Sequence, residues 1–201
     1  MKKVPIILVA IAALVALPLF AANDTLLNLQ KAYNAEMNSR AQYLAFAQKA
    51  DDENFGAVGS LFRAVAVAEE SQANTHAKLI KTFNVQPKAT IVTPVVGTTE
   101  ENVALAFKNE QAEIDTMYAP FIKTAKAEKR MESLQSFRRA EKAEGEHATL
   151  FSATIANLET LKGSGPVTYY VCPVCGEVTQ TIPAAHCRDC GKHTADYLTV
   201  K

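Results

Sequence analysis

Ten side chains in this sequence could hold metal, and they fall into two sets. The first is acidic: Glu36, Glu69, Glu110, Glu113 and Glu144, joined by His147. Glu110 and Glu113 are three residues apart, as are Glu144 and His147, and residues three apart share one face of a helix. Each acid falls among apolar residues at helical spacing. Glu36 lies between Tyr33 and Tyr43, and Glu69 is four after Val65. Glu110 and Glu113 lie between Phe107 and Met117, and Glu144 and His147 between Phe137 and Phe151. Burying a lone carboxylate costs several kcal/mol, and five converging ones would also repel one another. One glutamate on such a stripe is explained by a helix rolled to let it reach solvent. Four helices doing so together is a poorer account than two hard cations bridged by the carboxylates. Di-iron and di-manganese bundle sites are built from a Glu on each of two helices and a Glu-x-x-His pair on the others. The spacing does not choose the metal.

The second set is Cys172-Pro173-Val174-Cys175 and Cys187-Arg188-Asp189-Cys190, two Cys-x-x-Cys knuckles each followed by glycine (Gly176, Gly191). Paired knuckles with an eleven-residue spacer imply one tetrahedral metal, iron or zinc. Two disulfides are the competing reading, favoured by an oxidising compartment. A one-electron iron beside a two-electron site makes functional sense, which favours iron. His186 and His193 read as surface or loop residues, since four cysteines already complete a tetrahedron.

Four long amphipathic segments must position the acids: residues 25–50, 54–83, 99–127 and 129–161. Their stripes are Leu29, Tyr33, Tyr43 and Ala47; Val58, Leu61, Phe62, Val65, Leu79 and Ile80; Val103, Phe107, Ile114, Met117 and Phe121; and Leu134, Phe137, Phe151, Ile155 and Leu158. Asp51-Asp52 marks one turn and the stretch 127–130 a second. Residues 84–97, with Pro87, Pro94, Gly97 and the β-branched run Thr90 to Thr93, are too long for a tight turn and read as a crossover. The predicted fold is mainly α: a ferritin-like four-helix bundle with one long crossover, and a small β/loop lobe around the cysteines. The predicted division is a signal peptide at 1–22, a bundle at 23–162, a linker at 163–168 (Gly163-Ser164-Gly165-Pro166 at its heart) and a cysteine lobe at 169–201.

Met1-Lys2-Lys3, an apolar run from Val4 to Phe20 and the polar switch after Ala21-Ala22 read as a secretory signal cleaved near Ala21 or Ala22. Export to the periplasm by the general route, with no stable membrane association after cleavage, is the expectation; an uncleaved anchor is the alternative. Formal charge is zero over the 201 residues and slightly acidic without Lys2 and Lys3, which leaves no electrostatic footprint for nucleic acid.

Taken together, Glu36, Glu69, Glu110-x-x-Glu113, Glu144-x-x-His147 and the two cysteine knuckles resemble the rubrerythrin family over residues 25–201, as do Tyr43, seven after Glu36, and Met117-Tyr118 after Glu113. The resemblance implies a non-haem di-iron peroxidase. Hydrogen peroxide would be reduced to water at two irons in the bundle, and a rubredoxin-like iron on the cysteines would return electrons from an unidentified donor protein. It implies Glu36, Glu69, Glu110, Glu113, Glu144 and His147 as iron ligands, Glu69 and Glu144 bridging, with Tyr43 and Tyr118 donating hydrogen bonds to the carboxylates. It also implies a homodimer in which the rubredoxin-like lobe of one subunit approaches the di-iron site of the other. One position departs: the family's helix-two Glu-x-x-His reads Glu69-Glu70-Ser71-Gln72 here. An amide is a poorer ligand for ferrous iron than imidazole. Gln72 and His76, four further along, are therefore candidate additional ligands. The alternative functions are iron oxidation and handling, or electron transfer and redox sensing with little turnover.

Overall fold

The computed structural model describes residues 23–201; the signal-peptide reading at 1–22 lies outside them. Helix α1 spans Asp24–Asp52 and α2 Gly56–Lys81. The third bundle helix is interrupted. It runs as α3 (Thr99–Ala112), a π-helical segment (Glu113–Tyr118) and α4 (Ala119–Ala127). Helix α5 spans Met131–Leu161. A three-stranded antiparallel sheet follows, β1 (Tyr169–Val171), β2 (Val178–Thr179) and β3 (Leu198–Val200), in the order β2-β1-β3. The ferritin-like bundle with one crossover and a small four-cysteine lobe is the observed fold.

Several local expectations change. Asp51 and Asp52 end α1 rather than turning the chain; the turn is Glu53–Phe55, with Asn54 at φ 64°. Apolar periodicity predicts a continuous third helix with Ile114 and Met117 inward. The π segment instead brings Tyr118 to the core, leaving Ile114 and Met117 only partly buried. Five residues overshoot an α-helical turn by about 140° but nearly close a π turn. Tyr118 thereby returns to the face of Glu113. Pro120 supplies a reason for the wider turn, because it cannot donate to the carbonyl four residues back and its ring crowds that carbonyl. Farther on, Ile155 in α5 is exposed rather than packed.

The crossover is held by side-chain amides. On α1, Gln30 Oε1 accepts from Lys88 N (3.2 Å), Asn34 Oδ1 from Thr90 N (2.8 Å) and Asn38 Oδ1 from Val92 N (2.8 Å). Their NH2 groups add bonds from Gln30 to the Gln86 carbonyl and from Asn38 to that of Thr90. Four residues of helix rise about 6 Å, and two residues of extended chain advance about 6.6 Å. A helix with an amide every fourth residue therefore stays in step with every second residue of the crossover.

The cysteine lobe is not a loose appendage. Tyr169, Val171 and Val178 belong to one apolar cluster with Tyr43, Phe46, Phe62, Val65 and Phe151 of the bundle. The expected linker is pinned as well: the Ser164 carbonyl and hydroxyl accept from Gly56 N and Ala57 N (both 3.1 Å), capping the start of α2. Across the seam Lys142 pairs with Asp189, and within the lobe Arg188 pairs with Glu177 (3.1 Å).

Candidate metal centre

The bundle interior has two apolar clusters with a polar layer between them. One contains Tyr43, Phe46, Phe62 and Phe151, and the other Tyr118, Phe121 and Phe137. Each contributes a tyrosine whose hydroxyl reaches a carboxylate. Tyr43 donates to Glu110 Oε1 (2.5 Å), and Tyr118 donates to Glu36 Oε1.

Between the tyrosines, ligand atoms of Glu69, Glu110, Glu144 and His147 all lie within 4.8 Å of one another, and those of Glu36, Glu69, Glu113 and Glu144 form a second such group. Glu69 and Glu144 belong to both groups. Glu36, Glu69, Glu144 and His147 are fully buried, and Glu113 is partly exposed. Ser39, three after Glu36 on the same face, donates to Glu113 Oε1 (3.1 Å).

Glu36 Oε2, Glu110 Oε2, Glu113 Oε2, both oxygens of Glu69 and both of Glu144 find no hydrogen-bond donor. An unpaired buried acceptor costs about 1–3 kcal/mol, more when charged. Burial pushes the carboxyls of Glu36, Glu69 and Glu144 above their usual range, and for Glu69 the neighbouring Glu144 and Glu110 add to it.

His147 decides the sign of what belongs there. Its Nε2–H donates to the Gly176 carbonyl (2.9 Å), so in the neutral ring Nδ1 carries a bare lone pair. That atom lies 2.9 Å from Glu144 Oε2 and 3.6 Å from both Glu69 and Glu110, with hydrogen-bond geometry to none. Burial opposes a charge on the imidazole, but these carboxylates outweigh it and hold the proton on when no cation is present. Two cations resolve the arrangement, one for each group of four ligands. Hard oxygen donors with one imidazole suit iron or manganese, so the residues fit a carboxylate-bridged pair.

The four cysteines are free thiols. Cys172 and Cys190 sulfurs are 3.5 Å apart and Cys175 and Cys187 sulfurs 3.4 Å, far beyond a disulfide bond, with all four within 4.8 Å of one another. Metal–sulfur bonds of about 2.3 Å in a tetrahedron put sulfurs about 3.8 Å apart, so the set is preformed for one metal. Both knuckle glycines take positive φ, 83° at Gly176 and 74° at Gly191, and return their amides to the first cysteine's carbonyl.

The family profile described as rubrerythrin matches residues 28–155, which include every acid above and His147. The chain belongs to the rubrerythrin family. It is 30% identical to rubrerythrin-2 of Clostridium acetobutylicum over 81% of this chain and 89% of that protein. It is 28% identical to nigerythrin of Nitratidesulfovibrio vulgaris over 79% and 77%. The fold of nigerythrin in its fully reduced, all-ferrous state superposes with a TM-score of 0.78 at 25% identity, covering 87% and 86% of the two chains. A Desulfovibrio desulfuricans bacterioferritin shares the bundle fold at a TM-score of 0.64 and 20% identity.

The two additional candidate ligands, Gln72 and His76, occupy different surroundings. Gln72 is buried one turn after Glu69, its amide has no hydrogen-bond partner, and it packs close to Gly176. His76 is buried outside both ligand groups, with Nε2 against the Tyr118 hydroxyl (3.2 Å) and Nδ1 against Ser136 Oγ (3.1 Å). His186 and His193 pair with each other across an isolated β-bridge in the cysteine lobe and belong to none of the ligand groups. Within this one chain the cysteine lobe docks on its own bundle, through Gly176 to His147 and through the Val174 carbonyl to Thr75 Oγ1 (3.0 Å). In the sequence Gly176 stands out only as the glycine of a knuckle. The contact joins residues 29 apart in sequence, and no periodicity encodes it.

Proposed function

We propose that this protein reduces hydrogen peroxide to water at a di-iron centre held by Glu36, Glu69, Glu110, Glu113, Glu144 and His147. Electrons would reach it through a rubredoxin-like iron on Cys172, Cys175, Cys187 and Cys190. The observation that carries the reading is the His147 ring: one nitrogen faces the carboxylates, and the other donates to a carbonyl one residue past Cys175. A one-electron site and a two-electron site thereby share a short hydrogen-bonded link. Reducing one peroxide to two waters consumes two electrons and two protons. An iron pair, when bound, supplies the electrons that open the O–O bond. The chain's residues do the rest. Glu69 and Glu144 span both positions, and Tyr43 and Tyr118 hold Glu110 and Glu36 by their free edges. The aromatic clusters keep bulk water from the centre.

Metal analysis with a visible spectrum tests the cofactors: iron on the cysteines gives the ferric tetrathiolate chromophore, which zinc lacks. Mixing the reduced protein with peroxide should reoxidise that chromophore, and Cys190→Ser should stop multiple turnovers while leaving bundle iron in place. Retention of many irons per chain, with no peroxide consumed, would instead mark an iron-handling protein. Export and a dimer belong to the same proposal. A mature N-terminus near Asn23 and sedimentation as two chains are the outcomes that support them.

A further inference from the structure

His76 and Ser136 are not needed to hold metal, yet they join the ligand set through Tyr118. His76 is 1% exposed, and burial holds its pKa down to about 3, so its ring is neutral, with one nitrogen a donor and the other an acceptor. The direction of every bond follows from the inner end. Tyr118 has a single hydroxyl proton, and its geometry directs that proton to Glu36 Oε1. The Tyr118 oxygen therefore accepts from His76 Nε2–H (3.2 Å). That leaves Nδ1 as the acceptor for the Ser136 hydroxyl (3.1 Å). Ser136 in turn borders an open surface depression of about 460 Å³ shared with Thr75, Lys78, Gln135 and Arg139. All three hydrogen bonds point inward.

We propose that Ser136, His76 and Tyr118 form a proton relay from this depression to Glu36 at the edge of the metal centre. In one passage the Ser136 O–H bond breaks as N–H forms at Nδ1. The Nε2–H proton moves to the Tyr118 oxygen, and Tyr118's own proton moves to Glu36 Oε1. Ser136 takes a replacement proton from solvent, so one proton enters and no charge stays on the relay. Reorientation of the ring and the two hydroxyls resets it. The purpose assigned to the relay rests on the proton-consuming reduction proposed above; its conduction does not.

Two measurements separate these. In full-length mature protein loaded with zinc, a diamagnetic stand-in, NMR on nitrogen-15 histidine reads exchange of the His76 Nε2 proton with solvent. The expected result is exchange that is fast for so buried a group, slowed several-fold by Ser136→Ala and restored by Ser136→Thr. Unchanged exchange in Ser136→Ala overturns the relay. In the iron-loaded protein, Ser136→Ala and His76→Gln should each lower peroxide turnover by about 10²-fold, the lower end for a positioned proton donor, with unchanged KM and a larger solvent isotope effect. Undiminished turnover in both variants overturns the purpose assigned to the relay in peroxide reduction. A wild-type protein inert to peroxide refutes the functional reading alone and leaves the exchange result to decide the relay.

Discussion

Replacing Gly176 by alanine puts the seam between the two sites to a quantitative test, because Gly191 provides an internal control. Both glycines hold positive φ, 83° and 74°, where a Cβ costs about 1–2 kcal/mol. A Cβ at Gly191 meets nothing within 4 Å, so Gly191→Ala should lose that backbone strain and no more. A Cβ at Gly176 would sit 2.9 Å from Gln72 Nε2, 3.1 Å from Gln72 Cγ and 3.2 Å from the Ala68 carbonyl. Overpacking of this kind adds about 1–3 kcal/mol, for a total of about 2–5 kcal/mol with the strain. Urea unfolding of the metal-loaded variants, followed by helix signal and by cysteine-site absorbance, measures the difference. Gln72→Ala in the Gly176→Ala background should recover part of it, since it removes the two nearest of these three atoms. The Gly176 carbonyl also orients His147, so Gly176→Ala should lose bundle metal while Gly191→Ala retains it. Equal cost and equal metal content in the two alanine variants would refute the close-packed seam.

Other outcomes follow from the same geometry. Gln72→His offers an imidazole where the present amide has no partner, and should tighten ferrous binding and raise peroxide turnover; unchanged values would mean that position does not reach the metal. Tyr43→Phe strips the hydrogen bond from Glu110 in a buried layer, and should destabilise the protein by about 1–3 kcal/mol by thermal or urea unfolding. Metal removal should change how stability depends on pH. Glu36, Glu69 and Glu144 have folded pKa values raised above 4.5, so their contribution is complete below that pH and is lost as pH rises through the folded values. His147, also raised, acts in the same direction, while His76, lowered from 6.5 to about 3, opposes them between those values. The metal-free protein should therefore lose stability from mild acid toward neutrality, and the loaded protein should lose metal and stability as pH falls, because protons compete for the ligands. A metal-free protein that grows more stable from pH 5 to 8, by urea titration at each pH, would contradict this.

The acids were legible because a carboxylate on an apolar stripe is a local conflict, and four such conflicts on four helices have few resolutions. The cysteine knuckles were legible because metal geometry constrains their spacing directly. The interrupted third helix was not, since apolar periodicity at Ile114 and Met117 fits an α-helix as well as anything else. Pro120 was the available signal. Asp51 and Asp52 looked like turn residues but serve as the last residues of α1, with Asp51 paired to Arg63 (2.6 Å), a contact made only after the chain has turned back. The crossover could be recognised by length. Its attachment is written in Gln30, Asn34 and Asn38, whose four-residue intervals match two-residue steps of an extended chain. Ser136, Gly176 and Ser164 act through tertiary contacts that only packing creates.

The docking of Gly176 on His147 also sets an order of events. A chain that emerges N-terminus first, from synthesis or from an export channel, presents all four helices through Leu161 before Cys172 and Gly176 of the first knuckle follow. During that interval the imidazole has no carbonyl to fix it, and the carboxylate layer is uncovered on one side. Arrival of the first knuckle closes the opening and locks the ring in one orientation. The cysteine lobe is thus the last part of the enclosure to arrive, and the imidazole gains its fixed orientation only when that lobe has docked.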